Sequence, residues 1–425
     1  MPLRLAAADG GYSEGVNEWG VGLGNEHFYT HRLPSDDGVA PQAEFTDLTR
    51  LVLERTKTAA EAVALLTQLI SEYGQTCQTC PVLANYNSMF MVTDSTSVYS
   101  VMAVGHEWGY KEIKPGDQAL NGTGVWTISN CYFTGTTNHS YTAISTARKY
   151  LGYTGTDAAF SFGEVYGTTA CDARQSRQVR SQAFLRDLSA DHKLTKADLM
   201  LTLSDHEHGG DVDQPYVAMP SRGATIDWHA SHAGGGTISA SSMVSDFSTD
   251  GLRKIVWHTG PNPCMAVSHL SPLYRSCCLL PVHEPHPASL TLLRQSRNHD
   301  VRSARSLSCC ALQVYYPVFF FADGHISTMP AFLSDGSAWY AFRYVIYELA
   351  KEDPVKIKTV QDTWRPIQLQ FFRQAENAAV MAAQMRDVAS AEALLSKVLD
   401  QISETIRLTL VHLNNTLVDD ASSSS

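Results

Sequence analysis

The sequence Gly-Val-Asn-Glu-Trp-Gly-Val-Gly-Leu-Gly-Asn-Glu-His-Phe-Tyr-Thr occupies residues 15–30 and is the best starting point for predicting the fold. Its Asn-Glu-Trp-Gly portion, at 17–20, combines turn-forming residues, and short apolar stretches lie on both sides of it. Such a cluster between strand-like pieces is typical of a turn that joins two β-strands. We therefore expect a strand pair in this part of the chain.

Residues 45–73 carry the next strong pattern, because apolar residues recur there at intervals of three and four. That spacing is typical of amphipathic helices. Thr58 and Glu61 form a capping box, and Gly74 is a residue that commonly ends a helix. The sequence thus predicts two helices, broken near Lys57 and Thr58 and ending at Gly74.

Further segments have strand or helix patterns. Strand patterns occupy 89–102 (parted by Asp-Ser-Thr at 94–96), 105–113, 124–133, 237–247, 254–258 and 314–321. Helical patterns occupy 195–203, with Thr195 as N-cap, and also 337–351 and 355–418, before a polar tail from Asp420 that we expect to fray. Runs of strands separated by pairs of helices predict the α+β class.

The composition limits the possible classes of protein. The chain has 425 residues, of which 44% are hydrophobic and 18% charged, so it is globular, with two or three domains expected. It shows no apolar run of 18 residues and no secretory signal pattern, so we expect no membrane insertion. The net charge of −11 opposes nucleic-acid binding. Nine cysteines, an odd number, form no disulfide framework, which predicts a cytoplasmic protein with free thiols.

Residues 268–314 differ from the rest of the chain. The segment has five Arg, no Lys and two adjacent Cys-Cys pairs, without helical or strand periodicity. One interpretation is a metal-binding or regulatory insertion whose ligands would be Cys277, Cys278, Cys309, Cys310, His283 and His286. Adjacent cysteines lack the spacing of zinc sites. The favoured interpretation is foreign sequence, such as an unspliced intron carried in frame, and we expect a disordered, dispensable insertion.

Two other motifs could hold a metal ion. Cys77 and Cys80 form a Cys-x-x-Cys pair, which serves redox or zinc chemistry in some folds, but loop cysteines are the favoured interpretation here. Residues 205–213 contain two histidines and several carboxylates without the His-Glu-x-x-His spacing, so a polar helix exit is favoured over a ligand set. We expect no metal and no cofactor.

Residues 11–26 resemble the stretch Trp-Gly-x-Glu-x-Gly-x-Asn-Glu-x-Gly-Val-x-Ile-x-Asn-Glu of the secernin family. The resemblance continues through Asp-Leu-Thr-Arg-Leu-Val-Leu-Glu-Arg at 47–55, Ile-Ser-Asn at 128–130, Leu-Ser-Asp-His at 203–206 and His-Thr-Gly at 258–260. It covers about 11–267 and 315–377. It implies a four-layer α/β/β/α sandwich formed by 1–267 and 315–350, followed by a helical segment at 351–425, and the family has no counterpart of 268–314.

Secernins resemble dipeptidases of the N-terminal-nucleophile type, so the resemblance implies cysteine-type hydrolysis of small peptides. In such enzymes the first residue is the nucleophile and its own α-amino group is the general base. Residues 1–10 contain no Cys, Ser or Thr, so we expect the nucleophile to be absent from this sequence and the chain alone to be inactive.

The resemblance also implies roles for residues that are present. It implies that Asn130 holds the substrate or its oxyanion and that Asn25 is an oxyanion donor at a strand end, because a side-chain amide donates hydrogen bonds without titrating. It marks Asn17, Glu18, Asp205 and His206 as structural or secondary candidates.

Two functional hypotheses follow. In the first, the protein is an amide hydrolase whose partner is a small peptide and which can form a homo-oligomer. In the second, it is a non-catalytic scaffold that acts through protein partners in secretion or exocytosis.

Overall fold

The computed structural model describes most of the N-terminal half of the chain and the C-terminal helices. The described residues are 14–17, 19–33, 43–76, 87–114, 124–136, 138–171, 177–191, 193–205, 226, 242–247, 254–259, 316–320, 346–350, 353–385 and 387–423. They divide into two compact units, the first built mainly from residues up to Asp198 and the second mainly from later residues.

The first unit is built on a six-stranded sheet in which every neighbouring pair is antiparallel, in the order β1-β2-β5-β6-β7-β8. Its strands are β1 (Glu14–Val16), β2 (Gly22–Phe28), β5 (Asn87–Thr93), β6 (Val98–Val104), β7 (Glu107–Ile113) and β8 (Asn138–His139). A separate parallel pair joins β3 (Ala43–Glu44) to β4 (Gln75–Thr76). The expected strand pair around residues 17–20 is confirmed, since β1 and β2 flank that turn.

Helices α1 (Phe45–Arg55) and α2 (Ala59–Tyr73) cover one face of this sheet. Glu61 N donates to Thr58 Oγ1, so Thr58 caps α2 as predicted, whereas the Glu61 carboxylate accepts from Lys57 N, one residue before the position that a capping box uses. Gly74 ends α2 at φ 67°, a backbone conformation that favours glycine. The prediction of two helices with these limits is confirmed.

The other face of the sheet packs against α3 (Ala143–Tyr150), α4 (Phe162–Tyr166) and the loop 124–136. The core on this face consists of buried apolar side chains from the strands, the loop and the two helices, among them Met89, Met102, Phe133, Phe162 and Tyr166. Burial of one such side chain contributes about 1.5–3 kcal/mol. Two more helices follow along the chain, α5 (Arg177–Asp191) and α6 (Lys196–Leu203).

The prediction of a strand at 124–133 is wrong. Those residues form a loop in which only Tyr132 makes a strand-like bridge, to Ala170. Backbone groups that a strand would pair with a neighbour are instead bonded by a side chain of α5, since Gln182 Nε2 donates to Val125 O and Thr127 N donates to Gln182 Oε1. The apolar side chains of the run still enter the core, which explains the strand-like sequence pattern.

The second unit contains a three-stranded sheet in the order β11-β10-β9 and a helical hairpin. Its elements are β9 (Ser242–Phe247), β10 (Lys254–Thr259), β11 (Tyr316–Phe320), α7 (Tyr347–Ala350), α8 (Pro354–Gln384) and α9 (Val388–Ser423). Helices α8 and α9 are antiparallel, and Lys356 Nζ donates to Leu417 O where the start of one meets the end of the other. The buried residues of α9 recur at intervals of three and four, from Ala391 to Leu417, as in coiled coils.

The structure therefore contains helices together with a predominantly antiparallel sheet, and it confirms the α+β class. The helical pattern at 355–418 is present as α8 and α9, and α9 continues to Ser423, beyond Asp420. Thr195 precedes α6 at the N-cap position, and its N and Oγ1 both donate to Asp198 Oδ2, so the third helical residue caps the N-cap backbone N–H. Segment 268–314 and residues 337–345 lie outside the described residues. Within the described part of the chain, no helix combines the length and the apolar character needed to cross a bilayer.

Candidate functional site

Asn130 lies at the centre of a polar cluster, hereafter the Asn130 cluster, which consists of Glu26, Asn130 and Arg177. The Asn130 amide nitrogen donates to Glu26 Oε2 at 3.2 Å and to the backbone oxygen of His27 at 2.9 Å. Its amide oxygen accepts a hydrogen bond from Arg177. A carboxamide has two N–H donors, so both donors of Asn130 are used inside the protein. The side chain is thereby fixed against the end of β2.

Glu26 gives the cluster an ionisable carboxyl group. Burial raises the pKa of Glu26 above its ordinary value of 4.5, and the nearby Glu14 carboxylate adds to this rise. The Arg177 guanidinium and the hydrogen bond from Asn130 act in the opposite direction without cancelling it. The protonation of this carboxyl therefore changes closer to neutral pH than that of an exposed glutamate, a property common in functional sites.

Arg177 brings a positive charge to the cluster from the first position of α5. Two neighbouring side chains on this helix bond to the loop that carries Asn130: Gln178 Nε2 donates to Thr127 O, and Gln182 Oε1 accepts from Thr127 N. The helix is thus attached to the loop at several points. Those contacts position the Arg177 guanidinium beside Asn130.

A disulfide bond joins Cys131, the residue after Asn130, to Cys171, with the two Cα atoms 4.8 Å apart. The expectation of free thiols is therefore wrong for this pair. An odd number of cysteines excludes a framework in which all are paired, but it carries no information on one pair that the fold brings together across 40 positions of sequence. Cys131 is 2% exposed, so its sulfur is enclosed in the core of the first unit.

Asn25 does not join the Asn130 cluster. It lies within β2, opposite Phe90, and not at a strand end or turn. Its amide nitrogen donates to Ser88 Oγ at 3.2 Å. Because successive side chains of a strand point to opposite faces, Asn25 and Glu26 face opposite sides of the sheet. Asn25, expected to be an oxyanion donor at a strand end, therefore lies on the opposite side of the sheet from the Glu26 side chain that Asn130 contacts.

Asn17 is buried in the turn between β1 and β2, where its side chain hydrogen-bonds to four backbone groups. Asp205 is also buried, at the end of α6, and its backbone oxygen accepts from Ile226 N. Asp205 belongs to the second unit, whereas the Asn130 cluster belongs to the first. Glu18 and His206 lie outside the described residues.

Metal binding was the alternative interpretation of the motifs at 77–80, 205–213 and 268–314. Among the residues that the structure describes, no group of three or more His, Cys, Asp and Glu side chains could hold a metal ion. Cys77, Cys80, the 206–213 part of the Asp-His motif and the Cys-Cys pairs of 268–314 lie outside the described part of the chain.

The Asn130 cluster places one acidic and one basic side chain on either side of a single amide. A carboxylate attracts an ammonium group, and a guanidinium binds a carboxylate in a planar, two-bonded arrangement. No protein-family model matches the chain.

Sequence reasoning identified Asn130 but missed Glu26 and Arg177. Glu26 was present in the quoted Asn-Glu motif at 25–26, and strand alternation could have separated the two residues. Arg177 had no comparable signal, because 177–191 shows no strong apolar periodicity and was not predicted to be a helix.

Proposed function

We propose that this protein is an amide-hydrolase homologue of the secernin type, and that it binds the ends of small peptides at the Asn130 cluster. The observation that supports this proposal is the meeting of Glu26, Asn130 and Arg177, which come from three separate segments of the chain. A short unmodified peptide has an α-ammonium group and an α-carboxylate within a few bonds of each other. These are the charges that complement Glu26 and Arg177.

Hydrolysis would require a nucleophile in addition to these binding groups. Cys131 is the cysteine next to Asn130, and its sulfur is held in a disulfide, whereas the attacking species in cysteine enzymes is a thiolate. The resemblance implies a cysteine at the amino terminus of the mature chain, with its α-amino group as general base. Asn130 would then position the peptide against that nucleophile.

The scaffold hypothesis is also supported by one observation. Both N–H donors of Asn130 are used within the protein, by Glu26 and His27, and this arrangement suits a residue that stabilises the fold. In this alternative the protein acts through protein partners in secretion, and the cluster fixes the loop 124–136 to β2.

The binding proposal can be tested by isothermal titration calorimetry with the full chain. The probes are the dipeptide Ala-Ala, its N-acetylated form and its C-terminal amide. We expect Ala-Ala to bind best, and Arg177→Gln to weaken its binding about tenfold or more, corresponding to about 1.4 kcal/mol. Arg186→Gln, on the exposed side of the same helix, is the matched control and should change nothing.

Two results would decide against peptide binding at the Asn130 cluster. One is an Ala-Ala affinity that Arg177→Gln and Arg186→Gln leave equally unchanged, and the other is no binding at all. A longer chain that carries an upstream cysteine, beside its Cys→Ser form, tests hydrolysis separately. Failure of that chain to cleave Ala-Ala, together with absent binding, would favour the scaffold hypothesis.

We propose in addition that the fold is a four-layer sandwich and that the protein is cytoplasmic. The resemblance implies that two sheets stack between helical layers, as in the four-layer sandwich, and a crystal structure would test this. We also propose a cytoplasmic location, which microscopy of a fluorescently tagged chain would test. Detection of the tagged chain in the secretory pathway would contradict it.

A further inference from the structure

We propose that the Cys131–Cys171 disulfide is a reversible oxidation site that controls the position of Asn130. The control of peptide binding that follows from it rests on the proposed function, but the effect on Asn130 does not. Asn130 directly precedes Cys131, so the bond fixes the backbone next to the residue at the centre of the cluster.

Cys171, the second cysteine, follows a segment that is hydrogen-bonded to the residues just after β2. Thr168 N donates to Tyr29 O at 2.9 Å, just after that strand ends. In the same segment Thr169 O accepts from Tyr132 N at 2.8 Å. The disulfide therefore joins two segments that both lie against the end of β2, and the loop end that carries Asn130 is one of them.

The disulfide also lies close in sequence to Arg177, the third member of the cluster. Helix α5 begins at Arg177, soon after Cys171 in the sequence. Asn130 precedes one cysteine of the pair and Arg177 follows the other, so the disulfide shortens the chain connection between these two cluster residues. When the bond is broken, backbone hydrogen bonds of Tyr132 with Thr169 and with Cys171 still join the two described segments. Hydrogen bonds of this kind contribute little net stability individually.

The bond is accessible to a reductant from one side only. Cys131 is buried, whereas Cys171 is half-buried. A dithiol reductant attacks Cys171 Sγ through one thiolate, forms a mixed disulfide with it and releases Cys131 as a thiolate. The second thiol of the reductant, as its thiolate, then displaces Cys171. Each protein sulfur ends with one proton, and the reductant becomes a disulfide. In a cytoplasmic protein, a disulfide is usually a transient or sensing one.

Hydrogen exchange measured by mass spectrometry on the full chain tests the proposal directly. The protein is compared after oxidation with glutathione disulfide and after reduction with dithiothreitol. We expect reduction to raise the exchange rates of 127–136 and 167–171 about tenfold or more, since local opening then becomes easier. Residues 45–55, which form α1, serve as the internal reference and should not change.

The double variant Cys131→Ala/Cys171→Ala gives the matched control, because dithiothreitol should have no effect on it. The wild-type comparison needs no variant, so it remains decisive if the double variant does not fold. Two results would overturn the proposal. They are equal exchange in the two wild-type forms and the absence of the 131–171 cross-link, by peptide mapping, after oxidation.

Peptide affinity measured on the same two samples separates this inference from the proposed function. We expect Ala-Ala to bind about tenfold more weakly to the reduced protein. Absent binding in both forms, together with the exchange difference, would contradict the proposed function and leave the redox control of Asn130 supported. Equal exchange would overturn the redox control even if the peptide binds.

Discussion

The amide nitrogen of Asn17 donates a hydrogen bond of 2.9 Å to the backbone oxygen of Leu53, which attaches the turn between β1 and β2 to the end of α1. The second amide hydrogen is donated to Thr56 O at 2.7 Å. The amide oxygen accepts from Trp19 N and Val21 N. One buried side chain thus satisfies four backbone groups, and the turn and the helix end are fixed together.

We expect Asn17→Ala to destabilise the first unit by about 2–4 kcal/mol, because it leaves buried backbone groups without partners. Asn17→Asp should cost at least as much, since a carboxylate oxygen would face two backbone oxygens. Urea unfolding followed by tryptophan fluorescence measures both changes. Asn415→Ala, at an exposed position of α9, is the control and should stay within about 0.5 kcal/mol of the wild type. A loss below about 1 kcal/mol for Asn17→Ala would contradict this account.

The limits of α1 and α2 could be predicted because their signals are local. Thr58 and Glu61 are three positions apart, and their hydrogen bonds form within one turn of helix. The turn between β5 and β6 has the same character: Asp94 Oδ1 accepts from Thr96 N and from Ser97 N. Residue types close together in sequence decide such features, so one sequence is sufficient to predict them.

Gly109 lies where the sheet packs most closely against α4. A Cβ atom added there would lie 2.5 Å from Phe162 Cβ and 2.6 Å from Phe162 Cγ. We expect Gly109→Ala to cost about 1–3 kcal/mol, because α4 must move away from β7. Gly24→Ala is the matched control: it is also a strand glycine, and no atom lies within 4 Å of the added Cβ.

Gly24→Ala should be neutral or stabilising, by up to about 1 kcal/mol, because alanine loses less conformational freedom on folding than glycine. Thermal unfolding of the two variants gives the comparison. Equal melting temperatures would show that α4 does not pack on β7 as described.

Glu107 is a buried carboxylate that is satisfied by hydroxyl groups at the start of α3. Thr142 Oγ1 donates to it at 2.9 Å and Thr146 Oγ1 at 2.6 Å, and Ser140 Oγ also donates to it. Burial, together with this carboxylate, raises the pKa of the neighbouring Tyr166 hydroxyl. The carboxylate therefore holds the first turn of α3 against β7.

We predict that Glu107→Gln lowers the free energy of unfolding of the first unit by about 1–3 kcal/mol, because three charge-assisted hydrogen bonds are lost or weakened. Glu112→Gln, on the same strand and paired with Lys114 at the surface, should change it by less than about 0.5 kcal/mol. Denaturant titration of the two variants makes the measurement. Equal losses would mean that the hydroxyl contacts contribute nothing specific.

The Asn130 cluster could be predicted only in part, because its members meet through tertiary contacts. Asn130 lies 104 positions from Glu26 and 47 from Arg177. The loop 124–136 was mistaken for a strand because its apolar residues do enter the core, while its backbone partners are side chains of α5. The Cys131–Cys171 bond likewise depends on the contact of segment 167–171 with the residues just after β2. None of these contacts leaves a signal within one stretch of sequence.

The stability of the protein should depend on the ionisation of Glu26 and therefore on pH. Because burial raises the pKa of Glu26, its proton is held more tightly in the folded than in the unfolded protein. The ionised carboxylate therefore costs stability at pH values above its folded pKa. This cost disappears as the pH falls through that pKa toward 4.5, the ordinary value of the group.

Glu26→Gln mimics the protonated group and keeps an oxygen that can accept from Asn130. We expect it to raise the melting temperature at neutral pH, and we expect its advantage over the wild type to shrink as the pH falls toward 4.5. Thermal unfolding of both proteins between neutral pH and pH 4.5 measures that difference. Glu164→Gln, at an exposed position of α4, is the control, and its difference from the wild type should stay constant. A Glu26→Gln variant less stable than the wild type at neutral pH would mean that the pairing of Glu26 with Arg177 outweighs its burial.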